Sequence, residues 1–129
     1  MMDLEELPPI TPYFLRAFYT WSVDNGFTPQ ISAVVEDGDF DILVPRKYVE
    51  DDLITLNISP TACEDLNIGN TRVTFKARFG GKVESVSIPV NRVSAIFIRE
   101  KGFGLPFEVK RKPKLSKDQP KRGFTKVDM

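Results

Sequence analysis

Between Thr71 and Phe79 the side chains alternate without a break: Val73, Phe75, Ala77 and Phe79 fall on one parity, and Arg72, Thr74, Lys76 and Arg78 on the other. A period of two sends successive side chains to opposite faces of an extended chain. The segment therefore predicts a strand with one face in a core and one basic face in water. Gly80-Gly81 comes next, and then Val83–Val90, a second run rich in β-branched residues. Glycine accepts the positive φ of a tight turn without steric cost, so the two runs are expected to fold back as an antiparallel hairpin. A chain built around such a hairpin must be largely β.

Further β-rich runs occupy Gln30–Glu36, Asp41–Val44, Leu53–Ser59 and Val93–Arg99, and Asp37-Gly38 suits a second hairpin between the first two. Pro60–Leu66 interrupts the series with residues suited to a helical turn, capped by Ser59 and opened by Pro60. Upstream the spacing changes. Thr11-Pro12 predicts an N-cap with proline opening a helix, and Asn25-Gly26 predicts its stop, so the helix is expected from about Pro12 to Asp24. Phe14, Leu15, Phe18, Tyr19, Trp21 and Ser22 fall at offsets of one, three and four, an apolar face wider than one sheet contact requires. Part of that face is expected to meet another chain. One helix followed by six short, mostly antiparallel strands indicates a mainly β domain over residues 1–107, a small barrel or sandwich carrying an N-terminal helix.

After Phe107 the composition changes. The segment 108–129 holds Lys110, Arg111, Lys112, Lys114, Lys117, Lys121, Arg122 and Lys126 against Glu108, Asp118 and Asp128, a net of +5 in a chain that sums to zero, so the body carries −5. With Pro113, Pro120 and scattered apolar residues it is expected to be a disordered basic tether. The chain lacks histidine, which removes His-based nucleophile arrangements and the commonest zinc ligand. Carboxylates are plentiful but form no recognisable catalytic spacing, so no enzyme and no cofactor is expected. Cys63, the single cysteine, has no internal disulfide partner and is expected in a turn as a small packing residue. Gly80-Gly81 lacks the surroundings of a phosphate-binding loop. No apolar run approaches the roughly 20 residues of a membrane span. The opening MMDLEELPPI has no basic region leading into an apolar one, so a cytoplasmic location is expected.

Four segments in order, PYFLRAFYTWSVDNGFTP (12–29), LITLNIS (53–59), VTFKARFGG (73–81) and SAIFIREKGFGLPFE (94–108), resemble the stringent starvation protein B (SspB) family of specificity-enhancing factors for the ClpXP protease. The resemblance implies a bacterial, non-enzymatic adaptor with an Sm-like β-fold, dimerised through its N-terminal helix at Phe14, Leu15, Phe18, Tyr19 and Ser22. It also implies binding of ssrA degradation tags and their delivery to the ClpX unfoldase with its ClpP peptidase. By position, the tag-binding residues implied are Val44, Pro45, Tyr48, Asn57, Ile58, Ser59, Ala62, Cys63, Lys76, Ala77, Arg78 and Phe79. A short motif at the end of the family's linker docks on the unfoldase; here Arg122, Phe124, Lys126 and Val127 fit it in part, and Asp128-Met129 departs from it. An extended peptide needs main-chain partners, apolar pockets and matching charge, and Arg78 with Lys76 supplies the charge for an acidic tag. A second class of function, a small β-barrel RNA-binding protein with a basic tail, competes with this reading. Against it stand the acidic body and the lack of a strand pairing Phe or Tyr with basic residues for base stacking.

Overall fold

A computed structural model describes residues 7–111. The chain is mainly β: the described residues form seven strands in two antiparallel sheets, preceded by one α-helix. The helix α1 spans Thr11–Asp24 and the strands are β1 Pro29–Val34, β2 Leu53–Asn57, β3 Cys63–Ile68, β4 Arg72–Phe79, β5 Lys82–Pro89, β6 Val93–Ile98 and β7 Gly104–Pro106. One sheet has the order β2-β1-β6-β7 and the other β3-β4-β5. No strand pairing among the described residues joins the two, so the barrel is not closed.

Thr11 does not cap the helix. Ile10 holds the cap position without a side-chain bond, its carbonyl accepting from the Tyr13 and Phe14 N–H groups at 3.0 and 3.2 Å, and Pro12 lies within the first turn. The stop is where the sequence puts it. Gly26 takes φ 77°, the Gly26 N–H donates to Val23 O at 3.1 Å, and the Phe27 N–H reaches back to Ser22 O at 2.9 Å. That pair of bonds satisfies carbonyls that an α-helix otherwise leaves free at its end. Leu15, Phe18 and Ser22 are buried on the sheet side, with Leu15 and Phe18 in the core that Ile31, Ile54, Ile58, Phe75, Ile88, Ile96 and Ile98 fill from both sheets.

The β4–β5 hairpin forms as expected. Phe79 pairs with Lys82 across Gly80-Gly81, which adopt φ 59° and 83°. Val73 and Phe75 enter the core while Lys76 and Arg78 remain outside it. The expected hairpin at Asp37-Gly38 does not form. Asp37-Gly38 is a turn, closed by Asp39 N–H to Glu36 O at 3.1 Å, but Asp41–Val44 is not a strand and does not pair with β1. Both edges of β1 are already taken, by β2 and β6, so that segment crosses to the other sheet, where Leu43 makes an isolated bridge to Ser87 of β5.

Pro60–Leu66 departs from expectation as well. One turn closes, with the N–H groups of Ala62 and Cys63 donating to Ser59 O at 3.0 and 3.2 Å, and the chain then extends as β3 along β4. Ladder formation against β4 outweighs the local preference for helix. The three-residue strand β7 is too short for periodicity to announce. At its start a Cβ on Gly104 would collide with the Ile96 carbonyl and the Phe97 backbone, so glycine is what lets β7 approach β6.

At the rim of the core Arg92 donates to Glu36 Oε1 at 3.0 Å and to Asp39 Oδ2 at 2.8 Å, with both carboxylates buried. Its Nη1 donates to Lys110 O at 2.9 Å. The first residues beyond the sheet are thus bonded to the body; the rest of the expected tether lies outside the described residues. No helix among them is long and apolar enough to cross a membrane.

Candidate peptide-binding groove

Because the sheets do not close, one edge of β2 has no strand paired to it among the described residues, and that edge faces the second half of β4. In an antiparallel ladder the main-chain groups of successive residues point alternately toward and away from the partner strand. Ile58 N–H bonds Pro29 O at 3.0 Å and Val35 N–H bonds Asp52 O at 2.9 Å, so residues 54, 56 and 58 face β1 and residues 53, 55 and 57 face outward. Leu53 spends its outward N–H and C=O on Glu50, at 2.9 and 2.8 Å, across a tight turn whose Asp51 and Asp52 have φ 54° and 63°. The outward groups of Thr55 and Asn57 remain, at the mouth of a hollow of about 130 Å³ walled by Ala62, Phe75, Ala77 and Phe79.

A larger hollow of about 230 Å³ lies beside it, bounded by Pro60, Thr61, Cys63, Glu64, Lys76 and Val83. The two share Ala62, Ala77 and Arg78, so they form one trough that passes from the β2 edge to the basic face of β4. Tyr48 stands at one end. Its ring centroid is 5.5 Å from that of Phe79, and it is carried by a short 3-10 turn, Arg46–Tyr48. The trough therefore combines an open strand edge, apolar walls and two cations. Arg78 Nη1 donates to Gly81 O at 3.3 Å, and Lys76 Nζ lies 3.7 Å from Asp65 Oδ2.

Of the residues expected here, Asn57, Ala62, Cys63, Lys76, Ala77, Arg78 and Phe79 line the trough and Tyr48 closes its end. Val44, Pro45, Ile58 and Ser59 are instead buried and line neither hollow. They support it: Pro45 O receives the Tyr48 N–H at 3.1 Å, and Ser59 O receives the N–H groups of Ala62 and Cys63 and the Cys63 thiol. Burial raises the Cys63 pKa, which keeps the thiol neutral near pH 7 and suits a packing role. Sequence reasoning misses Thr55, Leu56, Pro60, Thr61, Glu64, Phe75 and Val83, which also line the trough. The hairpin at Gly80-Gly81 fixes Val83 opposite Arg78, so that residue is recoverable from the sequence; Glu64 is not, because its segment has the local character of a helical turn.

The helix face expected to join two chains is divided. Leu15, Phe18 and Ser22 are buried within the chain's own fold and Tyr19 is half-buried, whereas Phe14 points outward. The outward apolar stripe is Ile10, Phe14, Ala17 and Trp21, extended by Phe103, whose ring lies 6.1 Å from Trp21 and 6.2 Å from Phe18. Arg122, Phe124, Lys126 and Val127, expected to dock on an unfoldase, lie outside the described residues.

Comparison with known proteins gives the family. Residues 9–127 match the family model for stringent starvation protein B. The chain is 43% identical over 100 residues to a stringent starvation protein B homolog of Haemophilus influenzae; the alignment covers 78% of this chain and 65% of that relative, so the chain spans just under two thirds of the relative's length. By the extent of the family match, the chain belongs to the stringent starvation protein B family.

Proposed function

We propose that the chain is a non-enzymatic proteolytic adaptor that binds ssrA-type degradation tags in the trough and delivers the tagged proteins to the ClpX unfoldase and its ClpP peptidase. One observation carries the peptide-binding reading: the outward N–H and C=O groups of Thr55 and Asn57 lie along apolar walls, with Arg78 beside them. An extended peptide laid against that edge gains main-chain hydrogen bonds, places alternate side chains against Ala77 and Phe79, and brings an acidic residue to Arg78. Family membership supports the choice of tag and protease. Delivery needs a second contact, and Arg122, Phe124, Lys126 and Val127 are where the docking contact is proposed. Tethering two weak contacts in one molecule raises avidity by about 10²-fold or more without any new chemistry.

A homodimer would place two troughs in one assembly. The Ile10, Phe14, Ala17 and Trp21 stripe with Phe103 is the surface proposed for it, since water-exposed apolar side chains grouped on one face favour a protein contact. Light scattering should then give twice the chain mass for the wild type and a folded monomer for Trp21→Glu. The tag reading is tested by fluorescence anisotropy of the full chain with a labelled ssrA peptide and with single-stranded RNA. Saturable micromolar binding of the peptide is expected. Binding of RNA with no binding of peptide would overturn the adaptor reading in favour of the nucleic-acid one.

A further inference from the structure

The two cations of β4 that line the trough, Lys76 and Arg78, are not equivalent. Arg78 stands opposite the apolar Val83 of β5. Lys76 stands opposite Glu64 across the β3–β4 ladder, and Asp65 approaches its ammonium to 3.7 Å. Asp65 reaches that place through an irregularity. The register of β3 against β4 shifts between Glu64 and Asn67, and Asp65 adopts φ 58°, a left-handed conformation that non-glycine residues seldom take. The shift leaves the carboxylate beside a lysine that lines the trough. Both side chains are largely in water, 53% exposed for Lys76 and 74% for Asp65, so the pair is easily exchanged for another.

Resting on the peptide-groove reading, we propose that Asp65 is an internal competitor for the acidic residues of the bound peptide and limits the affinity of the groove. An acidic side chain arriving at Lys76 replaces Asp65 rather than meeting a free cation, so it gains the difference between two ion pairs instead of a whole one. A neutral side chain at the same place gains nothing from Lys76 and is indifferent to Asp65. For an adaptor the consequence is useful: a peptide held below its attainable affinity is released readily to the protein that receives it. Arg78, with Val83 rather than a carboxylate opposite it, supplies the uncompensated charge.

The test is a double-mutant cycle on the full chain. Asparagine tolerates left-handed φ, so Asp65→Asn removes the charge without removing the backbone conformation. Two labelled probes are titrated at low ionic strength: the ssrA peptide, and the same peptide with its acidic side chains replaced by the corresponding amides. Asp65→Asn is expected to tighten the acidic peptide about threefold. It should leave the amide peptide unchanged and have no effect when Lys76 is already Met. Unchanged or weaker binding of the acidic peptide, or equal tightening of both probes, overturns the competitor role. If the wild type binds neither probe, the groove reading fails with it; wild-type binding with no response to Asp65→Asn sinks the competitor alone.

Discussion

β1 and β2 lie side by side in one sheet, and they differ in what their edges are left to do. β1 is paired on both sides, with β2 and with β6, and its Ile31 and Ala33 are buried among side chains from both sheets. β2 is paired on one side only, and its other edge opens into the trough. A completed ladder satisfies its polar groups internally and contributes to stability; an incomplete one keeps groups that water or a ligand must satisfy. The open edge is short, because Glu50 occupies its start and the turn at Ser59 bends the chain away at its end. A two-residue opening is too brief to template aggregation, yet it suits an extended peptide.

The largest effect is expected on the closed side. Ile96 of β6 is fully buried and pairs with Ile31, so Ile96→Ala should cost about 2–5 kcal/mol, a large share of the stability of a domain this size, read from urea unfolding. Next comes the open edge. Thr55→Pro removes an N–H that points away from β1, so it should weaken peptide binding about tenfold while lowering stability by only about 1 kcal/mol. Leu56→Pro, one residue on, removes an N–H that points toward β1 and should prevent folding. If both proline variants fold equally well, the division between a closed and an open edge is wrong.

A smaller effect is expected from charge alone. Arg78 lines the trough, so Arg78→Glu should weaken binding of an acidic tag about fivefold, more at low ionic strength and less at high, with no change in the unfolding midpoint. A salt-independent loss, or a fall in stability, would mean that Arg78 supports the hairpin tip through Gly81 rather than the ligand.

How much of this is legible in the sequence depends on the same contrast between local and global. The β4–β5 hairpin is readable because a period of two and two adjacent glycines specify it without help from the rest of the chain, and the basic face with Lys76 and Arg78 comes with it. The helix stop at Gly26 is readable for the same reason. β3 is hidden because Ser59-Pro60 favours a turn locally, and only the presence of β4 draws Cys63–Ile68 into an extended strand. Asp41–Val44 resembles a strand because its alternation is real, with Ile42 and Val44 buried and Leu43 exposed, but no edge of β1 is free to receive it. The open edge of β2 is beyond the sequence altogether, since being unpaired depends on where every other strand goes. Half of the helix face escapes for a related reason: spacing shows which residues share a face, but whether Phe18 or Phe14 points at the core depends on the rotation of the helix over the sheet.

The smallest effect concerns the far margin of the closed sheet, where β1 begins. Glu100 receives the Thr28 hydroxyl at 2.6 Å and the Thr28 N–H at 3.0 Å, while the Arg99 N–H donates to Thr28 O at 2.9 Å, so the carboxylate ties the entry of β1 to the end of β6. Those bonds, the hydroxyl first and the backbone N–H second, hold the Glu100 carboxyl below its ordinary pKa. A carboxyl whose pKa is lower in the folded state than in the unfolded chain adds stability above the unfolded value and loses it as pH falls through the folded one. The group is wholly exposed, so the contribution is slight. Glu100→Gln should therefore be marginally less stable than the wild type at neutral pH, with the two unfolding curves converging on acidification, and it should bind peptide as the wild type does. Divergence toward acid would reverse the sign of the linkage, and altered peptide binding would show that this margin communicates with the open edge across β1.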